Sequence, residues 1–216
     1  MVALKQGCFV VFAKEGGVIF DSRDDRFLLL SPHQTELLQR AFMSKTIDPT
    51  IAPEVQRLLE VYGCQNGPTV SSTIVSGFHD YIWCPRLTGK PKNPKLRFIC
   101  WVYMIQLSLK WRGITRTVGY IARSRAVLMK FFPDCSFESA ANEIMTASKF
   151  SPFRFKCLEF ATALRCFAEI KQIKNVKLCI GVQRFPFLSH AWVEHAGAPI
   201  NDECSLSERA AVIFEL

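Results

Sequence analysis

Three residues near the C-terminus have the types and the order that nucleophilic catalysis requires: Cys157, His190 and Asp202. A thiol reacts as its thiolate, so it needs a base. The base in turn needs a third group that fixes its ring and tautomer. Cys157 lies early in a segment with an apolar stripe, His190 opens a strand in the string SHAWVEHAGAPIND, and Asp202 closes the next strand. Taken singly, these residues are weak signals. A cysteine in a helix is usually core packing, a histidine on a strand is usually satisfied structurally, and Asn-Asp after a strand is usually a turn. Cys166 and Cys179 fall on apolar faces and are assigned to the core, and His195 is expected to lie exposed beside a hairpin turn.

Two local questions decide whether the three groups can meet. The first is where the helix around Cys157 begins. A start at Ser151-Pro152 puts the thiol in the second turn, whereas a start near Lys156 puts it at the helix mouth, where the dipole favours a thiolate. The second is the parity of the hairpin around residues 196–198. A two-residue loop, Ala196-Gly197, places Asn201 on the face of His190. A three-residue loop places Asp202 there, as a diagonal neighbour about 7–8 Å away at the backbone. Spacing alone leaves both residues open as partners of the ring.

The elements that must position these groups follow an α+β order. Residues 9–13, 18–21 and 27–30 read as a three-stranded meander with turns at Gly16-Gly17 and SRDD. Ser31-Pro32 opens a helix, and a second runs over 54–62 to Gly63. Residues 46–53 are broken by proline, and residues 67–94, rich in Gly, Pro, Ser and Thr, read as a linker. Beyond it come helices over 95–111, 118–132, from 136 or 138 to 148, and 151–170. Strands follow over 176–182, 188–195, 198–201 and 210–216. The chain therefore divides into 1–66, a linker at 67–94, and 95–216.

Composition narrows the function classes. The 216 residues are 49% hydrophobic, with 18 Phe, enough for a real core. Nine cysteines without a C-x-x-C pair argue against a zinc ribbon, and no metal site is expected. The start, MVALKQGCFVVF, makes a poor signal peptide, so a cytoplasmic protein with reduced thiols is expected. The longest apolar run, FICWVYMIQLSL at 98–109, is too short for a bilayer span of roughly 20 residues. It reads as a buried helix, with no stable membrane insertion. The net charge of +8 is concentrated: residues 84–132 hold eleven Lys and Arg and no Asp or Glu. Its aromatics sit in the apolar run rather than in loops that could stack bases, so nucleic acid is not the expected partner.

The run KCLEFATALRCF, followed by LCIGVQRFPFLSHAWVEHAGAPINDE, resembles the lasso-peptide B proteins, the leader peptidases of lasso-peptide biosynthesis, with a transglutaminase-like fold. The elements that carry the resemblance are Cys157-Leu158, Ile180-Gly181-Val182, Ser189 to Glu194, and Ile200-Asn201-Asp202, in family order. The ending ERAAVIFEL is similar to the microcin-type members. The resemblance implies Cys157 as nucleophile, His190 as base and Asp202 as orienter, with Asn201 in reserve. It also implies an acyl-enzyme released by water, and a backbone N–H at Cys157 as one oxyanion donor.

It further implies that the N-terminal meander and helices form a small winged-helix-like domain that recognises the precursor. The leader would add as a strand on Arg26, Phe27, Leu28 and Leu29 and lie against Leu58 and Tyr62. The implied partners are the lasso precursor peptide and an asparagine-synthetase-like cyclase that consumes ATP, with no cofactor intrinsic to this chain. Two alternatives stay open: a transglutaminase or acyltransferase using the same triad, and a non-catalytic peptide-binding escort of the cyclase.

Overall fold

The computed structural model describes residues 2–13, 15–43, 53–65, 94–132, 135–152, 154–183, 186–202 and 206–216. The expected linker at 67–94 and the proline-broken stretch at 46–53 lie, but for residues 94 and 53, outside these. Residues cluster into two compact units. One holds residues 1–78 together with 181–189 and 207–214; the other holds 79–180, 190–206 and 215–216.

In the first unit the expected meander is present. Strands β2 (Cys8–Val11), β3 (Val18–Asp21) and β4 (Arg26–Leu29) pair antiparallel in the order β2-β3-β4, with Phe20 opposite both Phe9 and Phe27. Strand β1 (Val2–Leu4) precedes them and pairs instead with β5 (Gly63–Gln65). That pair was not legible, because two three-residue strands far apart in sequence leave no periodicity. Helices α1 (Pro32–Met43) and α2 (Pro53–Tyr62) lie where the sequence puts them. Ser31 starts α1 through a reciprocal cap: Gln34 N–H donates to Ser31 Oγ at 3.1 Å, and Ser31 N–H donates to Gln34 Oε1 at 2.9 Å. At the end of α2, Lys5 Nζ donates to the carbonyls of Glu60 and Val61, both at 2.7 Å, placing a cation on the negative end of the helix dipole. Leu4, Val10, Phe12, Ile19, Leu30, Leu38 and Val55 form the buried apolar cluster of this unit.

The second unit is led by α3 (Leu96–Arg123), which is two helices joined at Gly113, whose φ of 70° and ψ of −179° are open only to glycine. The first helix therefore ends near Gly113 as expected. The next starts at Ile114 rather than 118 and stops at Ser124, before α4 (Arg125–Leu128) and a 3-10 turn over Met129–Phe131. The apolar run at 98–109 is not buried all round, as the sequence suggested. Phe98, Trp101, Val102, Ile105 and Leu109 face the core at helical spacing, while Cys100 and Leu107 are exposed. Among the described residues no helix is long and apolar enough to cross a membrane.

Helix α5 (Phe137–Ser148) is capped by Ser136, whose side chain accepts from Ser139 N–H at 3.2 Å. Helix α6 (Cys157–Lys171) packs on α3 through a ring cluster. Phe132 meets Phe98, Trp101 and Phe167 with centroids 5.2, 5.3 and 5.5 Å away. Trp101 Nε1 also donates to the Ala163 carbonyl at 3.2 Å. Each such ring pair adds about 0.5–1.5 kcal/mol beyond its buried area, and together they hold α6 in one position.

The C-terminal strands are β6 (Val176–Gln183), β7 (Leu188–His195), β8 (Ala198–Pro199) and β9 (Ala211–Glu215), with the short helix α7 (Leu206–Arg209) before β9. They form one sheet in the order β8-β7-β6-β9. The chain is thus mixed α and β; in the second half α3 to α6 precede the sheet as expected, with the four-residue α7 between β8 and β9.

Candidate active site

Helix α6 begins at Cys157, not near residue 151. Lys156 is its extended N-cap, with φ −110° and ψ 179°. Lysine has no acceptor to cap with. The start is fixed from the other side, by Glu159, whose Oε2 accepts the Lys156 backbone N–H at 3.0 Å. Cys157 is therefore the first helical residue, half-buried, and among the backbone N–H groups that no preceding turn can pair. The positive end of the helix dipole lies at the sulfur.

His190 comes from β7 and is buried, at 4% exposure. Its Nε2 bonds Asp202 Oδ2 at 2.7 Å, with both side chains shielded from solvent. The Cys157 thiol interacts with the same ring. With Nε2 directed at the carboxylate, Nδ1 is the nitrogen through which proton exchange with sulfur can run. Burial pulls the imidazolium down, but the hydrogen bonds to Asp202 and then Cys157, with the negative charge of both, outweigh it. The result lifts His190 from the ordinary value to about 9. A protonated ring beside the sulfur is the state that stabilises a thiolate. On the same face of β7, Trp192 lies nearly parallel to the His190 ring, centroids 6.0 Å apart, and its Nε1 donates to Glu194 Oε1 at 2.9 Å.

The hairpin resolves the parity question in an unexpected way. Glu194 pairs with Pro199 and His195 with Ala198, so the loop is the two-residue Ala196-Gly197, with φ of 52° and 83°. Strict alternation from that register puts Asn201 on the face of His190. Yet Asp202 makes the bond, because the ladder ends first. Pro199 is the last residue of β8, and Asn201 takes a left-handed φ of 56°. That one residue reverses the alternation and turns Asp202 to the ring. Asn is among the few side chains that adopt this conformation readily, and Asn201 Nδ2 reaches Asn142 Oδ1 on α5 at 3.5 Å.

The other expectations are met unevenly. Cys166 and Cys179 are buried, and burial pushes both thiols up, Cys179 to about 12, which removes them as nucleophiles. His195 is half-buried rather than exposed, because it packs edge-on against Phe137 at 5.5 Å. Strand β4 has a single sheet neighbour, β3, among the described residues, so it is an edge. Arg26 and Leu29 on it are exposed and Leu28 is half-buried. Phe27 stacks on Phe20 at 4.7 Å. Leu58 and Tyr62 of α2 are half-buried and pack, with Leu28, on the apolar cluster of the first unit. Sequence reasoning gave Trp192 no role beyond its place in the resemblance and did not single out Glu159, although the S/T/D/N-type cap that normally flags a helix start is absent at Lys156 and Glu159 was the remaining signal.

Among the described residues no group of three His, Cys, Asp or Glu is placed to hold a metal ion. No solved structure matches the chain. The microcin J25-processing protein McjB of Escherichia coli is 38% identical over 64 residues, a match that spans 30% of each chain. The profile of the transglutaminase-like superfamily matches residues 99–215, the stretch that carries Cys157, His190 and Asp202. On that match, over more than half of its length, the chain belongs to the transglutaminase-like superfamily.

Proposed function

We propose that this chain is a cytoplasmic cysteine peptidase that removes the leader from a ribosomally made lasso-peptide precursor. The observation that carries the proposal is the buried His190–Asp202 bond of 2.7 Å, with the thiol of Cys157 on the same ring at the start of α6. Cys157 attacks the scissile carbonyl as a thiolate, and the backbone N–H of Cys157 receives the developing oxyanion. The His190 imidazolium gives its proton to the departing amine, and water, deprotonated by the neutral ring, releases the acyl group. Asp202 holds the ring in position. The partial likeness to a microcin-processing protein supports a peptide precursor as substrate.

Residues 1–66 then act as the recognition module. The leader adds as a strand along Arg26, Phe27, Leu28 and Leu29, with its side chains toward Leu58 and Tyr62; main-chain bonds bind and alternate pockets select. The freed core peptide passes to an asparagine-synthetase-like, ATP-consuming cyclase. In the test, the purified chain is incubated with a lasso precursor, with and without that cyclase, and the products are read by mass. Cys157→Ala should abolish cleavage while leaving leader binding unchanged; undiminished cleavage refutes the reading. The superfamily match favours a second reading, acyl transfer to an amine, in which the product mass is that of an amide adduct instead of hydrolysed leader.

A further inference from the structure

Helix α3, α4 and the 3-10 turn form a surface that the peptidase reading does not use. Between Pro94 and Phe132 there are eight Lys and Arg and no Asp or Glu. Over the same stretch Leu96, Leu107, Trp111, Tyr120, Val127, Met129 and Phe131 are exposed. Cations and bulky apolar side chains therefore alternate along the exposed positions of this stretch, which a solvated basic segment alone does not need.

Part of this surface is concave. A groove of about 390 Å³ lies between the start of α3 and the 3-10 turn. Trp101 and Phe132, each 2% exposed, make its buried lining. Leu96 and Phe131, 74% and 59% exposed, stand at its rim, with Arg97 and Cys100 beside them. The Arg97 Nε is buried and finds no acceptor among the described residues, although the guanidinium lies 5.6 Å from the Phe98 ring centre. A buried donor without an acceptor is uncommon in folded proteins and is relieved by an anion brought from outside.

We propose that this groove is a docking site for an acidic, amphipathic segment of a partner polypeptide. One or two of its bulky apolar side chains seat on Trp101 and Phe132, and an adjacent carboxylate meets Arg97. Three physical arguments select this occupant. A small apolar anion would need one cation, whereas here Arg97 lines the groove and Lys130 adjoins its rim residue Phe131 in the chain, so that more than one acidic group of a longer partner is matched. A membrane surface would engage the protruding Leu96 and Phe131 but leave the recess over Trp101 and Phe132 unfilled, whereas a recess with a buried aromatic lining is the form in which anchor side chains of a peptide are received. Nucleic acid would match the charge but not an apolar recess that offers few polar groups to base edges. The inference does not depend on whether Cys157 hydrolyses peptides.

The test uses the full chain carrying Cys157→Ala, panned against a display library of random peptides of about 16 residues, enough for four helical turns. Two variants of it, Phe131→Glu and Trp111→Glu, are compared. Both replace an exposed aromatic residue by a carboxylate, but only Phe131 lines the groove; Trp111 is 79% exposed elsewhere on α3. Melting curves establish that both variants remain folded. The selected peptides should be rich in Asp and Glu with bulky apolar residues between them. Their affinity should fall about tenfold with Phe131→Glu, the effect of losing one anchor contact, and at most about twofold with Trp111→Glu. Bound peptide should also slow maleimide labelling of Cys100, mapped by mass.

Several outcomes overturn the proposal: no enrichment, selection of neutral or basic peptides, equal loss in both variants, or unprotected Cys100. Binding of phosphatidylglycerol vesicles or duplex DNA that competes with the peptide and is lost with Phe131→Glu also overturns it, in favour of a membrane or a nucleic acid.

Discussion

At the scale of single residues, what distinguishes Cys157 from the other cysteines of its unit is what lies around it. Cys166 is fully buried within the same helix and burial holds its thiol neutral, whereas Cys157 is half-buried, at the helix start, against a ring that Asp202 charges. The state of that ring gives a pH prediction with a definite sign. The folded-state value of His190, about 9, lies above its ordinary value. The imidazolium that protonates the leaving amine in the proposed mechanism is therefore present at neutral pH and is lost as pH rises through about 9. The kcat/KM profile should show an alkaline limb there, and Asp202→Asn, which removes the charge, should move that limb down and lower kcat/KM by about 100-fold or more. A limb that does not respond to this substitution would separate Asp202 from the ring's titration. The same shift makes the pair stabilising below the ordinary histidine value, with that contribution lost as pH rises through about 9. Cys157→Ala should leave at most about a thousandth of the wild-type rate.

At the scale of elements, two single residues depart from regular structure, and only the first of them bears directly on the site. One is Asn201, which ends the strand alternation one residue before Asp202. A β-branched residue resists the left-handed region by about 1–2 kcal/mol, so Asn201→Val should favour an extended backbone there and turn Asp202 away. Activity should drop about tenfold or more and the alkaline limb should shift, whereas Asn201→Gly should stay within about threefold of wild type. If the two variants behave alike, the turn is not what aims the carboxylate. The other departure is Gly113, which lets α3 change direction at φ 70° and ψ −179°. Gly113→Ala should cost about 1–3 kcal/mol in denaturant unfolding, because a Cβ strains that conformation. The sequence made the existence of these elements legible: the meander, the helix stop at Gly113, the Ser136 cap and the four C-terminal strands all carry local signals. It did not make legible where α6 starts, because Lys156 is not a capping residue and the cap is supplied by Glu159. Nor could it choose between Asn201 and Asp202, because strand parity assumes an extended chain, which here breaks at the left-handed Asn201.

At the scale of the whole molecule, the division into segments 1–66 and 95–216 rested on a composition shift at 67–94, and composition is blind to contacts that return from the far end of the chain. The compact unit of the N-terminal meander includes residues 181–189 and 207–214. Phe214 lies edge-on to Phe9 at 5.1 Å and to Phe20 at 5.7 Å, and Phe187 meets Phe27 at 5.6 Å. Phe214 is 4% exposed, so the meander's aromatic residues are covered by a side chain two positions from the C-terminus. Phe214→Ala should therefore destabilise the protein by about 3–5 kcal/mol, the usual consequence of deleting a buried ring. Because Phe27 stacks on Phe20 at 4.7 Å, the loss reaches the edge strand β4. In hydrogen exchange, amides of β2 and β3 should lose protection in this variant, and the leader binding proposed at β4 should weaken. Intact protection in β2 and β3, with loss confined to β9, would mean that the meander stands without Phe214 and that a fragment of residues 1–66 is sufficient for recognition.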